Sequence, residues 1–94
     1  MPDPTFEQFR SDALAQGFDE VLERHWAPGT VVDTHTHPFS VSARVVQGEL
    51  QLTVGDDTSR LQAGDTFTLA RDVPHAERYG DAGAIFWVAR RNAT

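Results

Sequence analysis

Three of the four histidines fall in two short segments whose spacing suits metal binding. "VVDTHTH", residues 31–37, places His35 and His37 one residue apart in a stretch that alternates like a strand. Side chains at i and i+2 of a strand share a face and sit about 7 Å apart at the backbone. Two imidazoles so placed can converge on one ion. The second segment, "DVPHAERYG", residues 72–80, brings His75, Glu77 and Tyr79 onto one face by the same alternation. Three imidazoles occupy one side of a divalent ion and leave positions open for water or substrate. The chain has no cysteine, so histidine and carboxylate are the available strong ligands. After His37 the next carboxylate is Glu49, so the first segment supplies no nearby acid. Glu77 is the candidate instead. It follows His75 by two residues, as His37 follows His35, and is expected either to bind the ion, to act as a general acid or base, or else to lie exposed on an edge strand, paired with Arg78 or Arg44. Burial in an apolar cavity would raise its pKa toward that second role. Tyr79 is the expected substrate hydrogen-bonding group, or else a core aromatic.

The remaining polar candidates read as structural. His25, beside Trp26, is taken as a surface or structural histidine, and Gln47 and Glu49 as residues flanking a turn at Gly48. Phe39, after Pro38, either packs the loop or guards the cavity mouth. Trp26, Phe67, Phe86 and Trp87 supply core bulk.

Positioning these groups requires a strand-rich fold. Residues 3–17 predict a short helix: Asp3 with Pro4, or Thr5 with Gln8 as a capping box, can start it, and Gly17 can stop it. Phe6, Phe9, Ala13 and Leu14 form its apolar stripe, suited to covering one face of a sheet. From Phe18 on, β-branched and aromatic runs alternate with turn signals. They predict about eight short strands, near 19–26, 30–37, 41–47, 49–54, 58–62, 66–69, 75–79 and 84–90. The expected fold class is all-β, a small antiparallel barrel with one N-terminal helix. Residues 1–17 form the helical segment and 18–94 the barrel, within one domain.

The spacings resemble those of a small single-domain cupin. The first cupin motif runs G-x5-H-x-H-x3-E-x6-G, and Gly29, His35, His37 and Gly48 match it. The second runs G-x5-P-x-G-x2-H-x3-N, and Gly64 and His75 match it. Val41 stands at the glutamate position, Ala70 and Asp72 at the proline and glycine positions, and Tyr79 at the asparagine position. The resemblance implies a jelly-roll barrel with a divalent ion, iron, zinc, nickel or manganese, held inside by His35, His37 and His75. Val41 removes the usual anionic ligand. The turn substitutions matter less, since Asp72-Val73-Pro74 is itself a turn former.

Three neutral ligands leave the full charge on an ion. That favours direct binding of an anionic or enolate-like substrate and acidifies bound water. The resemblance permits oxygenation of a chelating small molecule, or isomerisation or cyclisation by acid/base chemistry. It equally permits a non-enzymatic barrel that binds or senses a small molecule. The charge is −6, fourteen acids against eight bases, all arginine, which disfavours nucleic acid as a partner. Arg90-Arg91, the one basic pair, reads as solvated surface. With no long apolar run and no leader-like N-terminus, the expectation is a cytoplasmic protein without membrane contact. A homodimer is expected from the family and from the short chain's need for buried surface.

Overall fold

The computed structural model describes residues 4–92. One helix, α1 (Phe6–Ala15), precedes six strands: β1 (Glu20–Trp26), β2 (Val31–His35), β3 (Ser40–Val54), β4 (Asp57–Gln62), β5 (Thr66–Leu69) and β6 (His75–Arg91). All pairings are antiparallel. No helix among the described residues is long and apolar enough to cross a membrane.

The helix begins at a capping box. Gln8 N–H donates to Thr5 Oγ1 at 3.1 Å, and Thr5 N–H donates to Gln8 Oε1 at 2.8 Å. Thr5 is therefore the cap and Pro4 precedes it, rather than opening the helix; Asp3 lies outside the described residues. Gly17 follows the helix end in the left-handed region, φ +95°, which costs a residue without Cβ little. Phe6 and Phe9 lay their rings on Trp87, at 5.7 and 5.8 Å between centroids. The helix thus covers one outer patch of the sheet.

Six strands replace the expected eight because two pairs of runs are continuous. Residues 41–47 and 49–54 both belong to β3, and 75–79 and 84–90 both belong to β6. Gly48 and the Gly80–Gly83 stretch are bends within long strands, not turns between short ones. Ladder register shifts on either side of Gly48, which pairs with Ala84. Gly48 and Gly83 adopt φ +77° and +70°, and a Cβ on Gly48 would lie 2.1 Å from the Gly83 carbonyl oxygen. A Cβ on Gly83 would in turn lie 2.2 Å from the Trp26 carbonyl oxygen, so neither position takes a side chain.

The bend divides the sheet into two halves. In one, the first part of β3 pairs with β5 and with the end of β6, which in turn pairs with β1. In the other, the second part of β3 pairs with β4 and with the start of β6, which pairs with β2. Their inward rows meet in one core: Val41, Ala43 and Val45 with Leu50, Leu52, Tyr79, Ala84, Phe86 and Val88. The β3–β6 ladder runs through both halves, but the strand order β1-β6-β3-β4 does not close on itself, so packing rather than a ladder brings the outer strands together. The antiparallel all-β class stands; the barrel is open.

Candidate metal centre

The metal-binding candidates gather at one end of this core, where β2 ends and β3 and β6 begin. Strict alternation over residues 31–37 would have put Val31, Asp33, His35 and His37 on one face. The strand instead stops at His35, with a register irregularity between Val32 and His35 against β6. The irregularity inverts the parity. Val32 packs on the core while Val31 is 58% exposed, yet His35 still turns inward. His37 sits beyond the strand, in the 36–39 loop. Its carbonyl accepts the Asp72 N–H at 2.9 Å, which ties that loop to the turn before His75. Asp72 has φ 62° and so takes the left-handed conformation that the motif's glycine would supply.

His35, His37 and His75 each offer a ring nitrogen, and these atoms lie within 4.8 Å of one another. One ion can be held by all three. The donor chemistry supports this fit. His35 Nδ1 lies 2.8 Å from the Asp33 carbonyl oxygen and His75 Nδ1 lies 2.9 Å from that of Val73. A carbonyl oxygen only accepts, so each Nδ1 donates, and the neutral ring keeps its lone pair on Nε2. This carbonyl-to-imidazole arrangement is how proteins fix the tautomer and orientation of metal-binding histidines. Both Nε2 atoms face Glu77 Oε2, at 3.5 Å from His35 and 3.9 Å from His75. His37 is held differently, by ring stacking on Phe39 at 4.8 Å and 15°. Burial, then the neighbouring His75 and His35, push its pKa below the ordinary histidine range. That favours the neutral, ligating form.

Glu77 and Tyr79 extend the same inward row from His75. The Glu77 side chain is only 10% exposed, which excludes the alternative of a solvated carboxylate. Tyr79 is buried, and its hydroxyl donates to Glu77 Oε1 at 2.5 Å. Burial, reinforced by the Glu77 carboxylate, raises the Tyr79 pKa, so the phenol keeps its proton and acts as a donor. Trp26 stacks on the Tyr79 ring at 4.9 Å and 14°. Val41 is buried in the apolar core and brings no charge. His25 is exposed, on Glu23 at 2.9 Å, and stands apart from the cluster.

Arg90 corrects the reading of the C-terminal arginine pair as solvated surface. Arg91 donates to the Gln16 carbonyl at 2.7 Å and lies over Phe18. Arg90 lies on the inward row after Phe86 and Val88, directly opposite Val41 in the ladder. Its Cζ is 4.7 Å from the centre of the Phe39 ring that carries His37. The i+2 alternation Phe86, Val88, Arg90 carried this signal in the sequence, masked by the adjacency of two arginines at a chain end.

Comparison with known proteins agrees with the fold. The cupin domain family model matches residues 22–88. The H2HPP isomerase of Bacillus subtilis is 37% identical over 70 residues, covering 73% of this chain; the chain spans 30% of that relative's length. Among solved structures, an RmlC-like cupin from Shewanella frigidimarina superposes with a TM-score of 0.69 at 26% identity, over 78% of this chain and 65% of that one. KdgF from a Halomonas species superposes with a TM-score of 0.70 at 19% identity, over 79% and 68%. With the fold, the motif spacing and the family match in agreement, the chain belongs to the cupin domain family.

Proposed function

We propose that this cupin holds a divalent ion, iron, zinc, nickel or manganese, through His35, His37 and His75, and isomerises a small organic molecule by proton transfer through Glu77. The observation that carries the reading is the convergence of three ring nitrogens within 4.8 Å, two of them with Nδ1 committed to backbone carbonyls. When bound, such an ion would polarise a carbonyl oxygen and acidify the adjacent carbon. Glu77 Oε2 lies beside the cluster, where it can take a proton from one carbon and return it to another. Tyr79 orients that carboxylate through Oε1 and cannot compete as a base. A proton shift of this kind needs no external oxidant. The isomerase name of the Bacillus subtilis relative favours it over the oxygenase alternative.

A second reading draws on the same distances: Glu77 Oε2, at 3.5 and 3.9 Å from two Nε2 atoms, is also placed to be the fourth, anionic ligand that Val41 does not provide. Glu77→Gln separates the two. Exchange of carbon-bound hydrogen for deuterium in a panel of 2-oxo acids is expected to slow by about 100-fold or more, the usual worth of a general base. Metal content is expected to hold at the wild-type level. Loss of metal together with exchange identifies a ligand instead. Unchanged exchange removes Glu77 from the chemistry. A metal-loaded wild type that exchanges none of the panel favours a non-enzymatic binding barrel.

A further inference from the structure

The inward cation at Arg90 is not explained by the metal site. Its Nε is buried and has no hydrogen-bond partner among the described residues. Its ion pair, NH1 to Glu20 Oε2, spans 3.8 Å to a half-exposed carboxylate, too long for a hydrogen bond. A partly buried guanidinium with donors unused carries a desolvation penalty that a bound anion would offset. The location is specific. Arg90 faces Val41 across the β3–β6 ladder, and Phe39 carries Arg90 on its ring and stacks on His37.

We infer that Arg90 is an anion-binding residue of this site, and that it takes the carboxylate of a small organic acid at the inward position beside Val41. The inference rests on the metal reading for its neighbourhood, but not for the Arg90 contact itself. A planar guanidinium matches a carboxylate with two parallel N–H donors, which selects an acid over its neutral amide. The protein then leaves to its ligand the anion that Val41 does not supply.

Calorimetric titration of the metal-loaded and metal-free protein with pyruvate, phenylpyruvate and their amides tests this, with metal content measured on the same samples. The acids are expected to bind at least tenfold more tightly than the amides. Arg90→Gln is expected to erase that preference with metal content unchanged, and Arg90→Lys to restore part of it. Equal binding of acid and amide to the wild type, no binding of any acid, or an Arg90→Gln variant that keeps the preference would each overturn the assignment. The wild-type comparison of acid with amide needs no variant, so misfolding of a variant cannot rescue the idea. Protein that takes up no metal but still prefers the acid through Arg90 sinks the metal reading and leaves the anion site standing.

Discussion

Replacing His75 with alanine is expected to strip the ion from the protein while leaving the fold in place. His75 is buried, and its ring contacts both other imidazoles, at 4.3 Å from His35 and 4.9 Å from His37 between centroids. Its Nδ1 is committed to Val73, so Nε2 has one task, to face the cluster. Two remaining histidines, one of them on a loop, make a poor chelate. Affinity should fall at least 100-fold, about 2.7 kcal/mol or more. After dialysis against metal-depleted buffer, content should drop below roughly a tenth of the wild-type value, a loss that size of affinity change implies. The metal-free fold should suffer less, about 1–2 kcal/mol, as for an ordinary buried truncation. Elemental analysis and a urea midpoint on the same preparation read both quantities. A His75→Ala protein with full metal content would refute the three-histidine assignment.

Val41→Glu should act in the opposite direction. Position 41 is 8% exposed, lies in the core cluster and faces Arg90. A carboxylate placed there in the metal-free protein is partly desolvated and should lower stability despite the arginine. With metal present it gains a second cation, and affinity should rise tenfold or more, about 1.4 kcal/mol. The gap in Tm between metal-loaded and metal-free forms should therefore widen by about 4–8 °C per kcal/mol for a domain of this size. The same change should weaken binding of a small organic acid, because the new carboxylate occupies Arg90. If Tm falls equally with and without metal, the side chain at position 41 does not reach the ion, and its correspondence to the family's acid position carries no chemical weight here.

The local chemistry was legible before the fold was. Period-two alternation placed His75, Glu77 and Tyr79 on one row, because β6 begins at His75 and runs without irregularity through Tyr79. Alternation failed over residues 31–37, where the irregularity after Val32 inverts the faces and the strand ends before His37. No side-chain pattern announces a bulge, since its cause lies in the pairing partner. The glycines were misread for a related reason. Gly48 and Gly80–Gly83 look like turns one at a time, and become bends in long strands only because Gly48 and Gly83 lie against each other across the ladder. Arg90 was missed because charge at a chain end usually means solvent, whereas here Phe39 and the barrel end cover it. By contrast, the Thr5–Gln8 capping box is purely local, and the sequence carried all of its information.

The most direct measurement is the metal content of the untagged protein, as purified and after removal and reloading with iron, zinc, nickel and manganese in turn. The convergence of His35, His37 and His75 calls for close to one tightly held divalent ion per chain from at least one of these metals. Content well below one per chain with every metal, in protein shown to be folded, would contradict the metal centre and the chemistry built on it.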